Sequence, residues 1–481
     1  MKMLEFQWWQ RHFLIITCML FFGLALFLLT MIGLRLWLLS PTFDWGSAGM
    51  LDAVRLLRGM PVYEDWYTGH PTWLYGPGFI WILAAVFAVT GPSLGIAVAV
   101  SLLASAASIA LCTMILKSRL SGWWLCAATL SFVLIEGQVM LFGTVSPDSF
   151  MLLFAMCGLC LCFRGDVWSM TFGGLLIVAA TLMKQTMLAS SIVPLFALAL
   201  EGKKPAVKSI FIALIPPAMV AIVFLVLKTD KLWWFYIVEV SSKYSNDINY
   251  RDFVFAAIGH FIVAIPLWIS AIFLLWLKID QPPGWWRLFR WSLAASLVST
   301  LVGALAAAKF GGGANSLMPP WFALVLLCWV VMIPVLDASS TWSRGWIIQA
   351  GLLVSLLLFL LPRTSQVTWP IDFVLNGNRE SYLAVSQRVR TLPGTVMSPG
   401  DVLLTFRERG QLDRSIWFDL DILKWPANLP TALLQSRYSA THIVINDPRQ
   451  VDYMRLRERG YVETWEDGRY RIWSRTGVGT R

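Results

Sequence analysis

Charged side chains are scarce in this sequence. Asp, Glu, Lys and Arg make up 14% of its 481 residues, whereas hydrophobic residues make up 57% and the mean hydropathy is +0.66. A single water-soluble core of this length does not need so large an apolar share. The composition therefore argues against a soluble protein and predicts a membrane protein.

The sequence also lacks several patterns that would indicate other classes of protein. The net charge of +10 is not gathered into a basic stripe on a soluble face, so we expect no nucleic-acid partner. The cysteine spacings do not suggest a disulfide framework or a zinc site, because all seven cysteines lie inside apolar runs. They are Cys18, Cys112, Cys126, Cys157, Cys160, Cys162 and Cys328.

Long apolar runs are what the sequence does contain. Runs long enough to span about 30 Å of hydrocarbon recur from residue 13 to residue 361, and many end in Trp, as an interfacial belt does. They predict a mainly α, polytopic transmembrane helical bundle of about 11 to 13 spans. The first run is too long for a signal peptide and lacks a cleavage site, so we expect a retained anchor. The runs are 13–39, 73–89, 94–116, 123–141, 150–163, 170–200, 210–227, 253–277, 291–308, 321–336 and 346–361.

The basic residues predict the orientation of the bundle. Those that precede the first run are Lys2, Arg11 and His12. They favour a cytoplasmic N-terminus and an outer loop at 40–72. The basic connections 201–208 and 278–290 are cytoplasmic candidates, and they place 309–320 and the C-terminal part in the periplasm. We therefore expect a multi-pass protein of the cell inner membrane.

The run 170–200 leaves two arrangements open. Counted as one span, it gives consistent ends, but it puts Asp148 in the cytoplasm and Lys184 within the bilayer. A break at Lys184-Gln185-Thr186 moves both side chains to the outside only if another segment fails to cross. The sequence supports both arrangements.

Residue 362 marks a change from apolar to mixed, charged composition. We expect a transmembrane module over 1–361 and a small soluble periplasmic α/β domain over 362–481. This domain shows no nucleophile–base pair, phosphate loop or metal spacing, so we expect it to dock an acceptor or a partner, or to stabilise the outer loops. Its patterns predict helices at 379–392 and 449–459, strands at 402–406 and 442–446, and a hairpin through Asp467-Gly468.

The outer loop contains an acidic residue at the start of a predicted amphipathic helix. Asp44 precedes the helix, and Gly59 stands where the helix should end. Apolar residues follow Asp44 at helical spacing, at Met50, Leu51, Val54 and Leu57. Such a helix lies on the membrane and holds the Asp44 carboxylate at the lipid–water boundary, where it could deprotonate a hydroxyl. An N-cap role explains Asp44 equally well.

Two lysines have surroundings that could bind an anion. Lys184 lies inside an apolar run, where an ionisable side chain is costly and suggests function, although it could simply pair with an acid such as Glu136. Lys309 precedes the glycine run 311–313, which would let the backbone approach a phosphate, and Asn315 could hold a sugar or phosphate oxygen. The alternative is a flexible loop with a snorkelling lysine.

Other side chains are weaker candidates. Asp148 could be a second acidic residue of the site, and Glu64, Asp65 and His70 could orient an acceptor or merely solvate the loop. Several aromatic residues could stack on sugar rings, but a bilayer boundary explains them as well. These are Tyr63, Trp66, Tyr67 and Trp73.

The order of the short motifs along the chain is more specific than any one of them. The motifs are Asp44 with its helix, Gly59-Met60-Pro61-Val62-Tyr63-Glu64-Asp65, Tyr75-Gly76-Pro77, Gly137-Gln138, Pro147-Asp148, Lys184-Gln185-Thr186 and the segment from Lys309 to Asn315. In this order they resemble the GT-C superfamily of membrane glycosyltransferases. That superfamily includes protein O-mannosyltransferases, lipid A aminoarabinose transferases and polyprenyl-phosphate-mannose-dependent mannosyltransferases. Many relatives carry Asp-Glu in the first loop, whereas Trp45 follows Asp44 here, so a two-carboxylate role is not implied.

The resemblance implies that a sugar moves from a polyprenyl-phosphate donor to an acceptor hydroxyl on the periplasmic face, with inversion at the anomeric carbon. Asp44 would be the general base. Because the leaving group is a single lipid phosphate, cationic side chains and backbone N–H groups can stabilise it, and we expect neither a metal nor a further cofactor. The donor-phosphate candidates are Lys309, Lys184, Gly312 and Asn315. The weaker candidates for acceptor or sugar contacts are Asp65, His70, Tyr75 and Asp148.

Two other functions fit a polytopic chain. A transporter or lipid flippase also has many spans with charged residues inside them, but many transporters show two similar halves, and we find no such repeat. A non-catalytic scaffold that displays the periplasmic domain would leave Asp44, Lys184 and Lys309 without a purpose. The identity of the sugar stays open, and the sequence is compatible with lipid, glycan and protein acceptors.

Overall fold

A computed structural model describes most of the membrane module and of the C-terminal domain. The described residues are 2–37, 44–65, 72–120, 122–138, 145–202, 218–219, 221–223, 225–226, 232–240, 283–308, 316, 318–338, 378–416 and 431–476. The predicted runs 253–277 and 346–361 lie outside these residues, as does most of 210–227. The predicted domain boundary at 362 also lies outside them.

The first part of the chain is a helical bundle. Among the described residues, three helices are long and apolar enough to cross a membrane: α4 (Leu94–Lys117), α6 (Pro147–Arg164) and α10 (Trp285–Ala308). At a rise of about 1.5 Å per residue, α4 is about 36 Å long. The described helices are α1 (Lys2–Trp37), α2 (Asp44–Leu57), α3 (Gly78–Thr90), α4 (Leu94–Lys117), α5 (Gly122–Gln138), α6 (Pro147–Arg164), α7 (Val167–Met183), α8 (Ile192–Leu200), α9 (Leu232–Trp234), α10 (Trp285–Ala308) and α11 (Met318–Ala338). A π-helix, Phe235–Val240, continues α9.

Two large apolar cores lie in the described part of the bundle. One lies among α1, α4, α5 and α11, where Phe132 stacks on Phe322 with ring centroids 5.4 Å apart. In that core the buried indole of Trp329 donates a hydrogen bond to Ser131 Oγ at 3.0 Å. The other core joins α2, α3 and the first turns of α4 and α6 around Trp73. The second core therefore connects the first loop to the bundle.

The chain breaks its helix at Lys184, so the run 170–200 is not one continuous span. Helix α7 ends at Met183, Lys184 has an extended backbone, and a 3₁₀-helix, Gln185–Ser191, leads into α8. An ammonium in the middle of an apolar span is costly, and the break instead places it at the end of a helix. The single-span interpretation is therefore wrong.

Helix α3 lies at one end of the bundle. Its 13 residues reach only about 20 Å, less than the thickness of the hydrocarbon layer. Its first residue, Gly78, contacts Leu182 and Met183 at the end of α7. The first turns of α4, the helix that follows α3, lie at the same end. Ser101 Oγ in α4 accepts a hydrogen bond at 3.5 Å from the backbone N of Ser146, just before α6. Helix α3 therefore does not cross the bundle, and the predicted span 73–89 is wrong.

The C-terminal part is an α/β domain with a four-stranded sheet. The strand order is β1-β2-β4-β3, with β1 parallel to β2 and the other pairs antiparallel. One apolar core covers Ile443 and another covers Val444, as expected for a strand whose alternate side chains face opposite sides of a sheet. The elements are α12 (Asn378–Thr391), β1 (Val396–Met397), α13 (Val402–Arg409), α14 (Thr431–Arg437), β2 (His442–Ile445), α15 (Arg449–Tyr453), β3 (Tyr461–Asp467) and β4 (Tyr470–Arg475).

Most of the elements predicted in this domain are found, and one is wrong. The helix at 379–392, the strand at 442–446 and the hairpin through Asp467-Gly468 are present, and Gly468 has a φ of 57° in the turn. The segment 402–406 is helical, although it was expected to be a strand. A short apolar run fits either structure, and here Gly410 ends the helix in the left-handed conformation. The predicted helix 449–459 is helical only to Tyr453.

Candidate functional site

A buried ion pair lies where helix α7 ends. Lys184 Nζ donates a hydrogen bond to Asp148 Oδ1 at 2.8 Å, and the two side chains are 6% and 2% exposed. The pair joins the break after α7 to the first turn of α6. A buried charge is costly without a partner, and here each side chain compensates the charge of the other.

The start of α6 holds the Asp148 carboxylate in place. Ser146 caps the helix: its hydroxyl oxygen accepts a hydrogen bond from Asp148 N at 3.1 Å and donates one to Asp148 Oδ2 at 2.9 Å. Pro147 occupies the first helical turn, where its missing N–H costs nothing. The positive end of the helix dipole adds to the stabilisation of the carboxylate.

The first loop packs directly against the break. Lys184 Nζ lies 5.2 Å from the centroid of the Tyr75 ring, and Gln185 Nε2 donates to the Leu74 carbonyl at 3.2 Å. The backbones meet at Gly76, where an added Cβ would lie 2.0 Å from the Leu182 carbonyl oxygen. Only glycine allows this approach, which brings Tyr75 beside the ion pair.

The structure thus brings Lys184, Asp148 and Tyr75 together. The alternative partner for Lys184, Glu136, has a side chain outside the described residues, and the described partner is Asp148. The arrangement agrees with the interpretation in which the run 170–200 is broken at Lys184. With the break at Lys184 and with α3 at the end of the bundle, both charged side chains face the first loop.

The remaining predicted residues are only partly described. Helix α2 begins at Asp44 as expected, but the Asp44 side chain lies outside the described part of the structure. Asp65 is exposed in the first loop. The other candidates, His70, Lys309, Gly312 and Asn315, lie outside the described residues.

The residues that flank the Lys309 segment lie beside the ion pair. Ala306, near the end of α10, lines a cavity together with Asp148 and Lys184. Ser316, just after the segment, lines the same cavity. Ala306 and Ser316, on either side of the segment 309–315, therefore lie at the cavity of the ion pair.

A larger apolar groove lies next to this cavity. The groove has a volume of about 720 Å³ and runs between α4, α6, α10 and α11. It ends near Arg119, just after α4, and Arg164, the last residue of α6. The two spaces are adjacent, because they share the lining residues Met187, Ser190, Val193, Ser299 and Pro319.

Two of the aromatic candidates are structural. Tyr63 and Trp73 are each 1% exposed, so they cannot stack on a sugar. Tyr63 packs against Tyr236 with ring centroids 5.5 Å apart and donates its hydroxyl hydrogen to the Tyr75 carbonyl at 2.5 Å. Burial raises the pKa of Tyr63 well above its ordinary value, so the hydroxyl stays a donor. Trp66 and Tyr67 lie outside the described residues.

A second group of charged side chains was not predicted from the sequence. Asp52 and Arg55 on α2, Glu64 after it, and Arg414 of the C-terminal domain form ion pairs across the two parts of the chain. The only sequence signal was the spacing of Asp52 and Arg55 by three residues. That spacing usually marks an exposed helical pair.

Comparisons with known proteins rest on structure alone. No protein-family model matches the chain, and no curated protein matches its sequence. The crystal structure of ArnT from Cupriavidus metallidurans bound to undecaprenyl phosphate is similar, with a TM-score of 0.55 and 12% identity over 96% of this chain and 98% of that chain. The chain has the GT-C fold. The apo structure of the same ArnT gives a TM-score of 0.51 and 12% identity over 89% of this chain and 93% of that chain.

The GT-C fold was the expectation drawn from the motifs, and it is confirmed. Together with the apolar helices, it makes the chain an integral membrane protein. In this fold the first loop, the start of α6 and the end of α7 meet at one end of the bundle. They are the elements that carry the described candidate residues.

Proposed function

We propose that this chain is a glycosyltransferase that moves a sugar from a polyprenyl-phosphate donor to an acceptor hydroxyl on the periplasmic face of the inner membrane. The observation that carries the proposal is the break at Lys184. It puts a buried lysine beside the first loop, in a cavity next to an apolar groove. A cation next to an apolar groove suits a lipid phosphate, which has an anionic head and an apolar chain.

The groove supports a donor with a long hydrocarbon chain. Its lining is mostly apolar, and it lies next to the cavity at Lys184, with which it shares five lining residues. The similar ArnT structure holds undecaprenyl phosphate, a lipid of this class. A polyprenyl chain in the groove would leave its phosphate at the cavity that Lys184 lines.

Lys184 is our leading described candidate for the phosphate contact. An ammonium has three donors, and Asp148 accepts one of them at 2.8 Å. A phosphate oxygen in the cavity could accept another, and Lys309 would approach from the segment between Ala308 and Ser316. Both cations would stabilise the negative charge that develops on the leaving phosphate.

The proposed reaction is a direct displacement with inversion. The acceptor oxygen forms a bond to the anomeric carbon, the bond from that carbon to the phosphate oxygen breaks, and polyprenyl phosphate leaves with the electron pair. Asp44, at the start of α2, takes the proton of the acceptor hydroxyl. Asp148 keeps Lys184 in place, while Tyr75, Asp65 and His70 are the candidates for contacts to the sugar or the acceptor.

The proposed orientation follows from the basic loops. The N-terminus is cytoplasmic, and the first loop, the Lys184 end of the bundle and the C-terminal domain are periplasmic. The contacts between α2 and the C-terminal domain support this arrangement, because they require both to lie on one side.

A lipid flippase is the second candidate. One observation favours it: the groove next to the Lys184 cavity reaches Arg119 and Arg164 at the opposite end of the bundle. A flippase needs a lipid path through the bundle. It does not need a general base at the start of α2.

The test compares the purified protein with an Asp44→Asn variant on polyprenyl-phosphate sugars. The wild type should release polyprenyl phosphate and transfer the sugar, and the variant should be slower by roughly a hundredfold or more, as is typical for the loss of a general base. Equal rates, or no release with any donor and acceptor, would rule out the proposed mechanism. Lipid scrambling in vesicles without transfer would favour the flippase.

A further inference from the structure

One arginine of the C-terminal domain is buried against the first loop. Arg414 is 4% exposed, its Nη1 donates to Asp52 Oδ1 at 2.5 Å, and its Nη2 donates to Glu64 Oε1 at 2.5 Å. Asp52 and Glu64 lie 362 and 350 residues away in the sequence. The Arg414 guanidinium group therefore links the C-terminal domain to Asp52 on α2 and to Glu64 in the first loop.

The groups around Arg414 are buried, so removing one partner of this contact should be costly. Asp52 is 2% exposed, so its carboxylate depends on the guanidinium for compensation. Arg55 adds a second link, because its Nη2 donates to the Leu412 carbonyl.

A chain of contacts leads from Arg414 to the ion pair at Lys184. Its first step is Glu64, whose carbonyl oxygen accepts the Tyr236 hydroxyl hydrogen at 2.5 Å. Tyr236 stacks on Tyr63, and the Tyr63 hydroxyl donates to the Tyr75 carbonyl at 2.5 Å. The Tyr75 ring then lies 5.2 Å from Lys184 Nζ.

We infer that Arg414 is a positioning residue, through which the C-terminal domain fixes the first loop against Lys184. Arg414 touches neither the ion pair nor the cavity, and it acts through Glu64, Tyr63 and Tyr75. The effect on sugar transfer rests on the proposed function. The effect on the order of the first loop does not.

The experiment uses the full-length protein with Arg414→Gln, Arg414→Lys and Glu64→Gln. Two quantities are measured: amide hydrogen exchange in residues 61–65 and 73–76, and kcat per folded molecule at saturating donor. Arg449→Gln is the matched control, because Arg449 pairs with Asp447 on the exposed surface of the same domain.

Arg414→Gln should speed exchange in both segments and lower kcat by roughly tenfold or more, since a displacement of about 1 Å at a reacting centre can cost a hundredfold. Arg414→Lys keeps the charge and should recover part of the loss. Arg449→Gln should match the wild type in both measurements. Unchanged exchange in 61–65 and 73–76 on Arg414→Gln would overturn the inference, as would an unchanged kcat in an active enzyme.

Two possible outcomes would each leave a single measurement or variant to decide the role of Arg414. If the wild type transfers no sugar, the proposed function fails, and the exchange measurement alone decides the role of Arg414. If Arg414→Gln does not fold, Glu64→Gln decides, because the Glu64 side chain is 26% exposed and the buried Asp52 carboxylate still pairs with Arg414 in that variant. Faster exchange in 73–76 on Glu64→Gln supports the inference, and exchange equal to the wild type refutes it.

Discussion

The ion pair of Lys184 and Asp148 allows a structural role to be separated from a functional one. Lys184→Met removes the cation and leaves the Asp148 carboxylate 2% exposed, with Ser146 as the described hydrogen-bond donor to its second oxygen. Removing one partner of a buried pair costs about 3–5 kcal/mol. We therefore expect Lys184→Met to lose stability by about this amount.

Adding Asp148→Asn to Lys184→Met should restore most of the stability. The amide can still accept the Ser146 hydroxyl hydrogen, and no charge remains buried, so the double variant should lie within about 1–2 kcal/mol of the wild type. Sugar transfer should stay low, by roughly a hundredfold or more, if the ammonium binds the donor phosphate.

The assay is thermal unfolding in detergent at one fixed scan rate, because unfolding of such a protein is governed by its rate, together with transfer activity per folded molecule. Lys184→Arg keeps the charge and is the matched control. A double variant that recovers both stability and transfer would show that the pair is structural only. A Lys184→Met variant as stable as the wild type would contradict the buried pair itself.

Two further predictions concern a glycine and a buried acid. Gly76→Ala should separate the first loop from the end of α7, because the added Cβ would lie 2.0 Å from the Leu182 carbonyl oxygen. Both the stability in an unfolding assay and the rate of sugar transfer should therefore fall. Gly23→Ala is the control: Gly23 has open space around it, so this variant should be neutral or stabilising in the same unfolding assay. Burial raises the pKa of Asp401 from 3.8 to about 6, so its contribution to stability is greatest below pH 3.8 and is lost as the pH rises to about 6. Asp401→Asn should therefore raise the unfolding temperature of the domain above pH 6, equivalent to about 3 kcal/mol, and the gain should vanish below pH 4. An equal gain at both pH values would contradict this explanation.

The parts of the fold that local chemistry determines were predictable. The start of α2 at Asp44 and its end before Gly59 follow from helical spacing and from a glycine with a φ of 77°. The hairpin at Gly468 follows from its turn dipeptide. These elements depend on residues close together in the sequence, so a single sequence contains the necessary information.

The parts that depend on distant contacts were not predictable. Asp52 and Arg55 have the spacing of a solvated helical pair, and only the approach of Arg414 buries them. The segment 402–406 is apolar and short, so its pattern does not distinguish a strand from a helix. In both cases the deciding interaction comes from another part of the chain.

The candidate site shows how a local signal and a distant contact combine. An ionisable residue inside an apolar run predicted that Lys184 was unusual, since it would cost about 2.5–3.5 kcal/mol at the centre of a span. The signal could not say how the chain avoids this cost. The structure avoids it by ending α7 at Met183 and by supplying Asp148, 36 residues earlier, as the partner.

The break at Lys184 and the placement of α3 are two consequences of one arrangement. If the chain reaches an end of the bundle at Lys184, the preceding segments must include one that does not cross. Helix α3 is that segment, because its 13 residues are too short for about 30 Å of hydrocarbon and its first turn contacts the end of α7. Hydropathy alone could not distinguish α3 from a true span, since the two are equally apolar. The contacts of Gly76 and Gly78 with α7 decide the matter, and they also place Tyr75 beside Lys184.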